Sequence, residues 1–243
     1  MAEKMESQKV APRTPSPKFK QWLAYKILRE FYRFLIRTWM LMCITITKIR
    51  SFVRDDRLGI ETSDSCHFKD CTLNKDAYDY APTRYDTLEK IIDRLNLRPD
   101  DVFVDIGCGK GRAVFVASFR KIKKAIGVDM DRDLIGSAQN NLRNIKAQHA
   151  PVEFICADAA GFDVREGTVF YLYNPFGDKT TKAVMENIRT SLVARPRRIR
   201  IALNGHVHRN VFDQQGWLEV ETEIYKGNIV ILHNPGQAET NII

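Results

Sequence analysis

The stretch Val102-Phe-Val-Asp-Ile-Gly-Cys-Gly-Lys-Gly-Arg112 constrains the fold of this chain more than any other. Val102 to Ile106 is a short β-branched and aromatic run, the signature of a buried parallel strand. The run breaks at Gly107-Cys108-Gly109-Lys110-Gly111 and resumes at helical spacing with Ala113, Val114, Val116 and Ala117. Strand, glycine turn and helix in that order aim backbone N–H groups at a bound ligand. Glycine suits such a turn because a Cβ would keep a flat ligand off the backbone. The turn reads G-x-G-x-G, with Arg112 where the dinucleotide fingerprint G-x-G-x-x-G has its third glycine.

Further strands follow at the spacing of βαβ units. Lys124-Ala-Ile-Gly-Val-Asp129 ends in an acid about 20 residues past the turn, where a carboxylate can accept sugar hydroxyls. The competing role for Asp129, capping the helix from Arg132, suits Asp131 better. Val152–Cys156 leads into Ala157-Asp158-Ala159, and Val169–Tyr173 delivers Asn174-Pro175-Phe176-Gly177 at the carboxyl end of a strand. Open α/β sheets bind ligands at those ends. A helix is expected near Lys179–Leu192, a strand over Arg198–Leu203, a short helix near His208–Gln214, and a hairpin of Trp217–Tyr225 and Asn228–His233 through Lys226-Gly227.

Asp105-Ile-Gly-Cys-Gly-Lys-Gly111 resembles motif I of the class I S-adenosylmethionine-dependent methyltransferases, and the later motifs fall in that family's order. The resemblance implies a Rossmann-like α/β sheet of order 3-2-1-4-5-7-6 with the last strand antiparallel, and S-adenosyl-L-methionine as cofactor. By the same resemblance Asp105 lies near the methionine amino end, and Gly107, Cys108, Gly109 and Gly111 pass beneath the ribose. Asp129 takes the ribose hydroxyls with Met130 beside it, Asp158 accepts from the adenine amino group, and the Ala159 N–H reaches a ring nitrogen.

Charge is unevenly spread. The net +8 is concentrated in residues 1–54, where only Glu3, Glu6 and Glu30 oppose a dozen lysines and arginines. Residues 1–17 are proline-punctuated and read as a disordered tail. Residues 18–54 form a helical segment with Lys26, Arg29, Glu30, Arg33 and Arg37 on one stripe and apolar side chains around the remainder. The uncharged run Trp39–Ile46 is too short to span a bilayer, which needs about 20 residues. Neither is it a signal peptide, since charged helix precedes it and no cleavage pattern follows. Three readings stay open for the segment: an anionic membrane surface, a cap on the chain's own catalytic domain, or an acidic partner, nucleic acid included. The width of the apolar face favours membrane or partner.

Residues 55–79 read as a polar linker or lid, 80–234 as the methyltransferase domain and 235–243 as a tail. Asp86-Thr-Leu-Glu89 is expected to open a helix as a capping box, with Leu88, Ile91, Ile92 and Leu95 on its buried face. The preceding Tyr80-Ala-Pro-Thr83 resembles the lid of small non-SET lysine methyltransferases, in which Tyr80 and Thr83 approach the cofactor. Pro82 could equally serve an ordinary helix lead-in. Cys66, His67 and Cys71 lack a second ligand pair, and His206 and His208 lack a third ligand, so no metal site is expected. The scattered cysteines suit reduced thiols in the cytoplasm.

Asn174-Pro175-Phe176 resembles the Asn-Pro-Pro-aromatic motif of methyltransferases acting on planar or amide nitrogens, without its second proline, and is also similar to the non-SET lysine enzymes. A simple strand-end cap with a proline turn is the alternative. The expected reaction is N-methylation of a protein side chain such as lysine, or of a small amine, with Asn174, Phe176 and Tyr85 around the acceptor. A nucleic-acid methyltransferase is less favoured because the basic residues lie away from the catalytic motifs. A non-catalytic cofactor-binding scaffold is the third option, and intact Asp105, Asp129, Asp158 and Asn174 weigh against it. The location expected is cytoplasmic, with peripheral membrane attachment through residues 18–54 as one option.

Overall fold

The structure is a computed structural model that describes residues 17–64, 78–205, 207 and 209–235. Residues 1–16, the Cys66-His67-Cys71 group, His206, His208 and residues 236–243 lie outside the described set, and with them the readings made for those positions. The chain divides into two compact units, Met1–Lys48 and Ile49–Ile243.

In the first unit the described residues belong to one long helix, α1 (Pro17–Leu58), whose last turns lie in the second unit. Among the described residues, Phe31, Phe34 and Trp39 of this unit are each more than half exposed.

The second unit is built on a seven-stranded sheet: β1 (Val102–Ile106), β2 (Lys124–Asp129), β3 (Val152–Cys156), β4 (Val169–Tyr173), β5 (Arg200–Asn204), β6 (Glu219–Ile224) and β7 (Ile229–His233). Their order is β3-β2-β1-β4-β5-β7-β6. The first five strands pair in parallel, and β7 runs antiparallel to both β5 and β6. The expected topology is therefore the observed one.

Both faces of the sheet are covered, which is why β1 is buried at every residue. Successive β1 side chains point to opposite faces. Phe103 enters a core with α2 (Tyr85–Leu95), α3 (Arg112–Ser118) and α4 (Arg132–Asn144), where Leu88, Ile91, Phe115 and Ile135 meet. Val102, Val104 and Ile106 enter the other core with α5 (Asp178–Ala194) and α6 (Arg209–Asp213), where Val184, Met185, Ile188 and Phe212 meet. Asp105, the polar residue of β1, is left buried beneath the crevice that opens beyond the strand ends.

Local signals behave unevenly. Asp131 caps α4 by accepting from the N–H groups of Asp133 and Leu134, as its position predicts. The capping box expected for α2 does not form. That helix begins at Tyr85 after Arg84, which makes no side-chain cap; Asp86 pairs with Arg84, and Glu89 pairs with Arg54. The partner that takes Glu89 is remote in sequence, so no local pattern could show it.

The polar segment after residue 54 also differs from expectation. α1 continues to Leu58, and Asp55, Ile60 and Thr62 are buried. Asn141 of α4 straps this stretch down: its Oδ1 accepts from the Glu61 N–H at 2.9 Å and its Nδ2 donates to the Glu61 carbonyl at 3.1 Å. Residues 55–64 thus join the domain through Ile60 in the core and through polar contacts, which hydrophobic periodicity does not register.

Candidate active site

The crevice lies beyond the carboxyl ends of β1, β2, β3 and β4, where a parallel sheet places its ligands. Its cavity is about 370 Å³, within the range of small-molecule sites. Of the residues singled out in the sequence, Tyr80, Thr83, Asp105, Gly107, Cys108, Asp129, Met130, Asp158, Ala159, Asn174 and Phe176 all line it.

Three do not. Tyr85 is buried beneath the crevice floor, donating its hydroxyl to the Asp55 carboxylate with the Arg112 guanidinium 4.5 Å from its ring centroid. An aromatic hydroxyl committed in this way has no access to an acceptor, so the role expected for Tyr85 is corrected. Gly111 is turned toward Phe154, and Gly109 lies behind the Tyr80 ring. A Cβ on Gly109 would fall 2.2 Å from ring carbons of Tyr80, at a φ of +52°. Here glycine makes room for a side chain of the protein itself, rather than directly for the ligand.

The acids of the crevice are held differently. Asp129 Oδ2 accepts from the Gly109 N–H at 2.8 Å and its Oδ1 accepts from the Asp131 N–H at 3.0 Å. These two bonds fix the carboxylate at the end of β2 while each oxygen keeps a lone pair for a further donor. Burial nevertheless raises its pKa above the ordinary carboxylate value. Asp105 is raised further, by burial first and then by the negative charge of Asp129. Burial, followed by Asp105 and Asp129, likewise pushes the Cys108 thiol well up, which makes it an inert wall rather than a nucleophile. Asp158 is exposed on the far wall, its Oδ1 accepting from the Ala160 N–H at 3.0 Å.

Asn174 ends β4 at a positive φ of 39°. Its amide is pressed against Gly205, where a Cβ would fall 2.3 Å from Nδ2. Its Oδ1 is buried with no hydrogen-bond partner among the described residues, in a residue that lines the crevice. Tyr173 and Phe176 flank it, and the Tyr78 N–H ties the opposite rim to the Pro175 carbonyl at 3.2 Å.

A polar cluster with almost no signature in the sequence ties Thr62, Ser63, Tyr80 and Thr83 to Arg112 and Asp55. Arg112 lies 3.5 Å from Asp55, donates to Thr62 Oγ1 at 2.7 Å, to the Thr83 carbonyl at 3.1 Å and to Ser63 Oγ at 3.0 Å. Thr62 in turn accepts from the Tyr80 hydroxyl through its carbonyl at 2.9 Å. Thr83 Oγ1, Tyr171 and Asn204 form a second buried triad at 2.8 to 3.0 Å. The one available signal was Arg112 itself, a charged residue standing where a glycine is expected.

The residues fit S-adenosylmethionine. A buried carboxyl at Asp105 suits an ammonium, a doubly anchored carboxylate at Asp129 suits a diol, and the wall of Met130, Ala157 and Ala159 suits a flat base. The sheet order, the glycine turn and this crevice give the chain the fold of the class I S-adenosylmethionine-dependent methyltransferases. Within that class, residues 74–151 match the family described as Histone methylation protein DOT1.

Relatives agree with that match. A Histone-lysine N-methyltransferase, H3 lysine-79 specific, of Caenorhabditis elegans is 31% identical over 140 residues, covering 52% of this chain and 14% of its own. A Protein-lysine N-methyltransferase of Saccharolobus islandicus is 31% identical over 64 residues, covering 26% of this chain and 40% of its own. The chain thus spans less than half the length of either relative. Among solved structures, an RNA methyltransferase from Salinibacter ruber in complex with S-adenosyl-L-homocysteine superposes with a TM-score of 0.50 at 19% identity, over 65% of this chain and 95% of that one. At that identity it bears on the fold alone.

Proposed function

We propose that this chain is an S-adenosylmethionine-dependent N-methyltransferase acting on lysine side chains of proteins. The observation that carries the reading is the buried Asn174 Oδ1, without a partner among the described residues, in a residue that lines the crevice together with Tyr173 and Phe176. An acceptor left without a partner in a buried site is costly unless a ligand donor completes it. A lysine amine is such a donor, and the similarity to lysine methyltransferases over residues 74–151 points to the same class of substrate.

The cofactor supplies an electrophilic methyl group on a sulfonium. The residues of the chain have three tasks. Asp129 and Asp158 hold the nucleoside end, and Asp105 holds the amino-acid end. Asn174 Oδ1 accepts from one N–H of the amine and so turns its lone pair toward the methyl, the near-attack geometry from which most of the rate derives. Phe176 and Tyr173 surround the amine with apolar surface, which disfavours the ammonium and lowers its pKa toward the neutral, nucleophilic form. We also read the helical first unit as an attachment element for an anionic membrane surface or an acidic partner, on the strength of its basic stripe and uncovered apolar side chains.

The test is incubation of the purified chain with methyl-labelled cofactor and a cell lysate, followed by mapping of the label. Label on protein lysines supports the reading. Label in the nucleic-acid fraction, or no label from a chain that binds the cofactor, overturns it.

A further inference from the structure

The first unit carries the largest uncovered apolar surface among the described residues, together with a basic stripe. At 3.6 residues per turn, Lys26, Arg29, Arg33 and Arg37 fall within about 80° of the helix circumference. Glu30 lies at the edge of that stripe, 2.8 Å from Arg33 and 3.6 Å from Arg29. Both ion pairs are exposed, so they leave the stripe strongly positive. Residues such as Phe31, Phe34 and Leu35 occupy an apolar arc of about 200° on the opposite side of the circumference.

From Thr38 to Thr47 the helix has no charged residue at all. Its three threonines in that interval turn their hydroxyls inward. Thr38 donates to the carbonyls of Leu35 and Phe34 at 2.9 and 3.1 Å, Thr45 to that of Leu41 at 2.9 Å, and Thr47 to that of Cys43 at 2.8 Å. Hydroxyls satisfied within the helix can enter an apolar medium without a desolvation cost for an unmade bond.

We propose that residues 26–48 lie in the interface of an anionic lipid bilayer, the apolar arc submerged and the basic stripe level with the headgroups. This commits the attachment role suggested above to one occupant. An arc this wide exceeds what a single partner helix covers, since a coiled-coil seam uses a much narrower stripe. A second copy in parallel would also set like charges side by side. Nucleic acid would engage the stripe and leave the apolar arc in water. No helix among the described residues is long and apolar enough to cross a membrane, so the geometry is that of a helix lying flat, arginines snorkelling to the surface.

The experiment is flotation of the full chain with vesicles of phosphatidylcholine alone and of phosphatidylcholine mixed with phosphatidylserine. A heparin-binding arm and calorimetric titration with S-adenosylhomocysteine run on the same samples. The proposal expects binding to the phosphatidylserine vesicles about tenfold above that to phosphatidylcholine, falling about tenfold in R33E/R37E. Phe31→Ser combined with Phe34→Ser should lower binding to the anionic vesicles as well, with S-adenosylhomocysteine affinity unchanged in both variants. Equal binding to the two vesicle types, binding to neither, binding to heparin alone, or indifference to the Phe31 and Phe34 substitutions overturns it. Because cofactor affinity is read separately, loss of that affinity in the parent chain would instead count against the methyltransferase reading.

Discussion

Arg112 and Asp55 stand 57 positions apart in sequence and meet as a buried ion pair, each side chain 4% exposed. Arg112 opens the helix after the glycine turn, and Asp55 belongs to the last turns of α1. Their contact fastens the lid residues Thr62, Tyr80 and Thr83 to the cofactor turn. Asp55 also accepts from the Thr62 N–H at 2.8 Å and from Ser63 Oγ at 2.7 Å, so the carboxylate is fully engaged.

Removing one member of such a pair leaves the other charge buried without compensation. Asp55→Ala should destabilise the chain by about 3–5 kcal/mol, read from denaturant unfolding. A loss below about 1 kcal/mol, the scale of an exposed pair, would mean that water reaches Arg112 and that the cluster does not hold the lid.

Asn174 is the residue on which the chemical proposal turns. Asn174→Ala should reduce turnover about 100-fold, the scale of a lost positioning contact, while S-adenosylhomocysteine affinity stays within a few-fold of the parent. Equal turnover in variant and parent on the labelled protein would remove Asn174 from the reaction.

Asp129 is expected to act on binding. Asp129→Ala removes charge-assisted acceptors worth about 1.5–3 kcal/mol each, so calorimetry should show cofactor affinity down by at least about tenfold. It also unpairs the Gly109 N–H that the carboxylate now holds. An affinity unchanged from the parent would refute the assignment.

Asp105 gives a pH prediction. Burial and the neighbouring Asp129 raise its pKa in the folded chain, so the folded state binds more protons than the unfolded state above the ordinary carboxylate value. Stability should therefore fall as pH rises from about 4, the unfolded Asp value, through the raised folded pKa. Asp105→Asn removes that penalty. Its unfolding midpoint should exceed the parent's at neutral pH and match it more closely near pH 4, while its cofactor affinity drops. A variant less stable than the parent at neutral pH would show that Asp105 is ionised and compensated in the folded chain.

Most of the sheet was legible in the sequence because its causes are local. Val102–Ile106 and Val169–Tyr173 are apolar at nearly every position, which a strand covered on both faces requires. The glycine turn, the acid at Asp129 and the Asp131 cap follow from backbone geometry within a few residues. Asn174 at a strand end was recognisable in the same way. Tyr85 was misplaced for the opposite reason: an aromatic residue near a lid motif gives no sign that a distant aspartate already takes its hydroxyl.

What the sequence by itself determined is the strands, the glycine turn and the Asp131 cap, since periodicity and turn chemistry act over short distances. The order of the strands and most residues of the crevice were implied by the resemblance of its motifs to the class I methyltransferases. Only the tertiary structure decided how that crevice is closed. Asp55, Thr62, Tyr80 and Arg112 come together through buried polar contacts between segments far apart in the chain, and a buried hydrogen bond depends on who the neighbour is rather than on any pattern in the residues beside it.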